Sequence, residues 1–219
     1  MKNLIIFGVG PLAQIAKDYF QDDSEYNVVA FTLDSDYIED RIFEEYPVVP
    51  FDKIEESYDP LDYEMFIAVG YAQMNKFRES KYNEAKNKGY TLASYISSKC
   101  SFLSKEKCGD NCFIFEDNTI QPYVEIGDNV ILWSGNHIGH HTVVKDHNFI
   151  SSHVVISGHC TIEANCFLGV NATVGDKIII AKGSLLGAGV VISKDTEENG
   201  VYVAPRAIKL EKSSEQIEL

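Results

Sequence analysis

The sequence predicts a chain in two halves: a small α/β domain on a parallel sheet, then a three-sided coil of stacked six-residue units. Three observations predict this. Short apolar runs alternate with helical stretches through residues 1–96. An aliphatic residue then recurs at every sixth position from Ile114 to Ile192. Glycine follows that aliphatic directly at Gly127, Gly139, Gly169, Gly175 and Gly187.

The elements follow in chain order. Leu4–Phe7 is a short apolar run, read as a buried strand rather than a secretory signal. Gly8-Val9-Gly10 and Ala13 form a G-x-G-x-x-A turn between this strand and a helix expected over Leu12–Phe20, with Pro11 suited to its first turn. Such a turn points backbone N–H groups at a phosphate. The plainer reading is a structural tight turn. Val28–Thr32 predicts a second strand running out at Asp34, where an acidic group meets a ribose or a base. Met65–Val69 predicts a third strand, followed by Gly70 and Tyr71 in the same crevice. A polar helix is expected over 73–88, ended by Gly89, and a further strand over Thr91–Ile96. Strand–helix alternation of this kind gives a small Rossmann-like parallel sheet.

The second half, residues 97–219, has a different period. Ile114, Ile120, Ile126, Leu132, Ile138, Val144, Ile150, Ile156, Ile162, Leu168, Val174, Ile180, Leu186 and Ile192 form an unbroken series. A period of six fits neither a helix nor an alternating strand and marks a repeat. Each unit makes one flat side with its aliphatic inward. Three sides close a coil of about eighteen residues, and coils stack as parallel strands about 4.8 Å apart. The position four further on is expected inside as well and is small at Thr142, Cys160, Cys166, Ala172 and Ser184.

Composition excludes several classes. The net charge is −14, with ten Lys/Arg against eighteen Asp/Glu in residues 1–99 and nine against fifteen beyond. No basic stripe exists to track nucleic acid. No apolar run approaches the length of a membrane helix. Five cysteines, an odd number without an export signal, suggest reduced thiols in a bacterial cytoplasm. Cys108 and Cys112 lack a second close pair that would complete a metal site.

The hexapeptide series resembles the left-handed β-helix acyltransferases. A short α/β domain ahead of it resembles the sugar acyltransferases related to the bacterial sialic-acid O-acetyltransferases and to the N-acetyltransferase of UDP-linked bacillosamine precursors. The resemblance implies a left-handed parallel β-helix and a homotrimer with active sites between subunits. It implies acetyl-CoA along the coils as co-substrate, no metal, and a nucleotide-linked sugar held partly by residues 1–96. The residues carried over for the nucleotide-sugar are Gly8, Gly10, Pro11, Leu12, Asp34, Gly70 and Tyr71. For acetyl-CoA they are Gly169, Asn171, Gly187, Ala188 and Gly189, as open backbone, and Lys194 for phosphate, with Lys177, Lys182 and Arg206 as further cations.

All six histidines lie between His137 and His159. His141, His147, His153 and His159 recur at one place in successive hexapeptides, so His141 and His159 should stack on one edge; the plainer reading is polar turn residues. The stretch Ile131–His141 resembles the family segment that ends in a catalytic His-Glu pair, which places the base at His140 and puts His141 where the family has Glu. Asp146, Asn136 or a backbone carbonyl then stand as orienting groups. A further family histidine aligns with Phe149, leaving His153 or His159 to replace it. A neutral imidazole can take the proton from an amine or hydroxyl as it attacks a thioester.

The expected activity is therefore acetyl transfer to a sugar, with the amino group of a nucleotide-linked amino sugar first and O-acetylation as the alternative. A γ-carbonic-anhydrase-like zinc enzyme would need two histidines five apart, and none are. An NAD oxidoreductase would need a longer first half. A scaffold without catalysis leaves the histidine cluster unexplained.

Overall fold

The structure is a computed structural model that describes residues 1–106, 108–211 and 213–217. Its first part is a five-stranded sheet. The elements are β1 (Lys2–Phe7), α1 (Pro11–Asp22), β2 (Tyr26–Leu33), β3 (Ile42–Phe43), β4 (Tyr46–Pro50), β5 (Tyr63–Ile67) and α2 (Lys76–Asn87). The sheet order is β3-β4-β2-β1-β5, parallel except for the β3–β4 hairpin. Successive residues of β1 point to opposite faces. Leu4 and Ile6 pack with Ala13, Ala16 and Phe20 of α1, whereas Ile5 and Phe7 pack with Phe51, Ile54, Met65 and Tyr82. Both faces are covered, so the strand reads as a continuous apolar run.

Two features differ from the sequence reading. The β3–β4 hairpin was not expected, because its two-residue turn is Glu44-Glu45, both with positive φ (49° and 69°), where Asn-Gly is the usual signal. The strand expected over Thr91–Ile96 divides. Leu92 makes a single bridge to Met65, and Tyr95–Ile96 leaves the sheet to pair with Phe113–Ile114 as the first rung of the coil.

The second part is a left-handed parallel β-helix with three walls. The first wall stacks Glu125–Ile126, Val143–Val144, Thr161–Ile162 and Ile179–Ile180. The second runs from Tyr95–Ile96 through Phe113, Ile131, Phe149, Phe167 and Leu185 to Val201–Tyr202. The third runs from Ser101–Phe102 to Val191–Ile192. Partners differ by eighteen residues along most of each ladder, and all fourteen aliphatics of the series are buried in one column. The small inner residues Thr142, Cys160, Cys166, Ala172 and Ser184 are buried too. Asparagine shares this inner position. Asn136 donates its backbone N–H to Asn118 Oδ1 (3.0 Å), and Val154 N–H donates to Asn136 Oδ1 (2.7 Å). These side chains tie one coil to the next at the corners.

The corners share one backbone state. Asn111, Asp117, Tyr123, Asn129, Gly135, His141, His147, His153, His159, Asn165, Asn171, Lys177, Gly183 and Gly189 all have positive φ, at strict six-residue spacing. Three edges result. The docking edge carries Asn129, His147 and Asn165, the glycine edge Gly135, His153, Asn171 and Gly189, and the histidine edge Tyr123, His141, His159 and Lys177.

The α/β domain sits on the second wall and the docking edge. Tyr95, Phe113, Phe115, Ile131, Trp133 and Phe149 pack against α1 and the sheet. Arg78 of α2 is fully buried in this seam. Its guanidinium donates to Asn129 Oδ1 (3.1 Å), to the carbonyls of Gly70 (2.7 Å), His147 (3.1 Å) and Asn148 (3.0 Å), and to Asn75 Oδ1 (3.1 Å). Burial lowers its pKa to about 9, which leaves it charged at neutral pH. No helix among the described residues is long and apolar enough to cross a membrane.

Candidate active site

The histidine edge holds His140, His141 and His159 together, all exposed. The 141 position is a left-handed corner, a state that histidine enters more readily than most residues. His141 and His159, one rung apart, stack with ring centroids at 4.8 Å and planes 17° apart. Tyr123 stacks on the other side of His141 at 4.6 Å. The His140 ring stands edge-on to both histidines, at 5.3 and 5.0 Å. Its room is made by Gly158, where a Cβ would lie 2.8 Å from Cε1 of His140. Its backbone is pinned by Gln121 Oε1 (2.9 Å) and by the N–H of His159 (2.9 Å).

His140 Nδ1 lies 3.1 Å from His141 Nδ1. One nitrogen must donate and the other accept. When His140 donates, its Nε2 keeps a free lone pair, the arrangement a general base requires. The other orienting groups considered from the sequence are elsewhere. Asp146 lies on the docking edge and accepts the Asp128 N–H (2.8 Å). Asn136 is inside the coil, with its side-chain oxygen on the Val154 N–H.

The remaining histidines separate by edge. His147 is no solvated corner. It is half buried against α2, with Nδ1 accepting from Asn129 Nδ2 (2.9 Å) and Nε2 3.7 Å from Glu79, and burial lowers its pKa. His153 is exposed on the glycine edge, over Gly135. Of the two proposed stand-ins for the family histidine, only His159 reaches His140. Phe149 itself is buried in the domain seam, stacked on Phe167 at 5.7 Å.

The residues read as a coenzyme surface fall on two edges. Asn171, Ala188 and Gly189 are exposed at the glycine edge, and a Cβ on Gly189 would meet nothing within 4 Å. Gly169 and Gly187 do not offer open backbone. A Cβ on Gly169 would lie 2.7 Å from the Ala188 nitrogen of the next coil, and one on Gly187 3.2 Å from the Tyr202 carbonyl. They are glycine because coils stack there. Lys194 is exposed in the column of His140, Gly158 and Asp176, on the histidine edge.

The α/β crevice brings its residues to the carboxyl ends of β2, β1 and β5. Gly8 has φ 119°, and a Cβ there would lie 3.0 Å from the Ala68 carbonyl; its N–H donates to Thr32 (2.9 Å). Gly10 caps α1 with open space around it, Pro11 opens the helix, and the half-buried Leu12 side chain packs against the core. Asp34 is paired with Lys81 Nζ at 2.8 Å, a partner the sequence reading missed. Gly70 gives its carbonyl to Arg78, and Tyr71 lies on Phe149 and Phe167 at 5.0 and 4.9 Å, so both also serve the docking of the two domains. Beside this crevice is a cleft of about 440 Å³ lined by Val9, Leu33, Ile38, Phe43, Val48 and Asp40. A second cleft of about 550 Å³, between α1 and the first coils, is lined by Asp18, Asp22, Asp23 and Glu116, a charge that repels phosphate.

The crevice and the base are on opposite sides of one protomer. The α/β domain covers the second wall, and the histidine edge is the corner between the third and first walls, facing away from it.

Comparison with known proteins finds matches to both parts of the chain. Residues 3–85 match the PglD N-terminal domain family, and residues 123–158 and 159–194 match the bacterial transferase hexapeptide (six repeats) family. No curated protein matches the chain. Among solved structures, the acetyltransferase domain of PglB from Neisseria gonorrhoeae FA1090 is similar at TM-score 0.82 and 19% identity, over 93% of this chain and 97% of that one. PerB from Caulobacter crescentus, solved with CoA and GDP-perosamine, is similar at TM-score 0.81 and 20% identity, over 93% and 95%. WeeI from Acinetobacter baumannii AYE is similar at TM-score 0.79 and 18% identity, over 93% and 97%. At these identities the likeness is one of fold.

Proposed function

For a chain that joins a PglD-type N-terminal domain to bacterial transferase hexapeptide repeats, we propose acetyl transfer from acetyl-CoA to the amino group of a nucleotide-linked amino sugar. The observation that carries this reading is His140: exposed on the coil edge with Nδ1 facing His141 Nδ1 at 3.1 Å, so that Nε2 can accept a proton in the tautomer in which His140 donates. Two structural relatives support the substrates, the PglB domain solved with acetyl coenzyme A and PerB solved with CoA and GDP-perosamine.

In this reading residues 1–96 hold the nucleotide part at the α1 N-terminus and residues 97–219 carry out the transfer. The sugar amine attacks the thioester carbon, His140 takes the amine proton, and the coenzyme leaves as thiol once the tetrahedral intermediate collapses. Asn171, Ala188, Gly189 and Lys194 are the coenzyme-facing residues. Because crevice and base are on opposite sides of a protomer, the site is completed by a neighbour in a homotrimer. The reaction belongs in the bacterial cytoplasm, where acetyl-CoA and nucleotide sugars are made.

The test is incubation with acetyl-CoA and a panel of nucleotide amino sugars, following thiol release and product mass. The expected product gains one acetyl group and resists mild base, as an amide does; a base-labile product means O-acetylation instead. His140→Ala is expected to lower turnover by roughly a hundredfold or more with an unchanged melting profile. Near-normal turnover in that variant removes His140 as base.

A further inference from the structure

We propose that His140, His141 and His159 form a binding site for a divalent transition-metal ion of the zinc type, and that its occupation switches off acetyl transfer. The second half rests on the function proposed above; the first does not. One ring nitrogen from each histidine lies within 4.8 Å of the other two. Two zinc–imidazole bonds of about 2.0–2.1 Å at a tetrahedral angle hold their nitrogens about 3.4 Å apart. His140 and His141 are already inside that span at 3.1 Å. His159 needs to close by up to about 1.5 Å to join them, within reach of a turn of exposed rings.

Nothing buried opposes the movement. All three side chains are exposed, so each ring can turn about its own axis. The His140–His141 link is replaced by metal bonds, and the stacking of His141 on His159 is the contact given up. The backbone is preset. His141 and His159 are consecutive left-handed corners (φ 59° and 57°), and the His159 N–H is bonded to the His140 carbonyl. On the next rung Lys177 is paired with Asp176 at 3.6 Å, which offsets its charge near the site. Three imidazoles with a fourth position open suit Zn²⁺, Co²⁺ or Cu²⁺, and do not suit Mg²⁺ or Ca²⁺. A metal bond uses a ring lone pair. With the Nδ1–Nδ1 link broken and the cluster turned inward, His140 no longer presents a free, oriented Nε2 to an amine.

The test uses the full chain, stripped with a chelator and titrated with Co²⁺. The intense visible bands of a four-coordinate ion are expected, saturating at one ion per chain. His141→Asn and His159→Asn keep a residue tolerant of the left-handed corner, and each is expected to abolish the bands while circular dichroism stays that of the parent. Absence of the bands in the parent, or their persistence in either variant, overturns the site. In the transfer assay Zn²⁺ is expected to lower the rate by about tenfold or more, with recovery on adding chelator. Saturating Co²⁺ bands with an unchanged Zn²⁺-treated rate overturn the switch and leave the site. If no acceptor is acetylated even in chelator, the acetyl-transfer reading falls, and the cobalt result still stands by itself.

Discussion

At the scale of single residues, the arrangement turns on what stands beside His140. An imidazole at 141 faces the Nδ1 of His140 but, unlike a carboxylate, supplies no negative charge to stabilise an imidazolium. His141→Glu is expected to move the acid limb of the pH–rate profile to higher pH, because a carboxylate there favours the protonated base; an unmoved limb would separate 141 from the chemistry. His147 gives a second pH effect. Burial lowers its pKa, so above the ordinary histidine value both folded and unfolded chains hold it neutral and stability is unaffected. Below about pH 6.5 the unfolded chain takes the proton first, and stability falls as pH drops. Melting temperatures at pH 7.5 and 5.5 should therefore fall further for the parent than for His147→Asn. The sequence showed that the histidines cluster and recur at one turn position, but not that this position is a left-handed corner. That signal was present: Asn129, Gly135, Asn165, Asn171, Gly183 and Gly189 occupy the same frame and are all residues that accept positive φ. Which corner faces the other domain depends on contacts far along the chain, so no local pattern tells His147 from His159.

At the scale of elements, the coil was legible because its core repeats in register with the chain. Each side buries one aliphatic of the series and the residue four further on. The α/β half was legible in outline, but its edges were not, since a Glu-Glu hairpin turn and the departure of Tyr95 into the coil are decided by tertiary pairing. Two kinds of glycine recur in the coil, those directly after the aliphatic and those at the left-handed corners. At Gly139 an added Cβ would lie 2.5 Å from the Ser157 carbonyl carbon, backbone that cannot yield. Gly139→Ala is expected to lose several kcal/mol and to displace His140, whereas Gly189→Ala, with open space, costs only the left-handed strain of about 1–2 kcal/mol. Thermal melts of the two variants side by side check the contrast. Arg78 was invisible from the sequence, as one cation on a polar helix whose acceptors are supplied by the coil. Arg78→Met leaves those buried carbonyls unpaired and is expected to destabilise by at least ~3 kcal/mol in urea unfolding.

At the scale of the whole molecule, the separation of crevice and base makes a prediction about mixing. Gly10→Glu places a negative charge at the α1 N-terminus, where backbone and space both accept a side chain, and should repel a phosphate. Alone, it and His140→Ala should each be inactive. Co-assembled in equal amounts, they should regain about a quarter of parental activity, because a site that draws its two halves from different chains finds both intact in about one case in four. No recovery would place both halves in one protomer. The same seam that keeps them apart has a further consequence. Arg78 knits α2 to two rungs of coil, and the aromatic column beside it is interdigitated. A hinge is thus missing at the boundary where two-domain enzymes commonly open and shut. Under the proposed transfer, the reach between donor and acceptor would be fixed on subunit assembly, so an acceptor would be measured by its length against a rigid gauge, and discrimination among sugars would belong to spacing instead of closure.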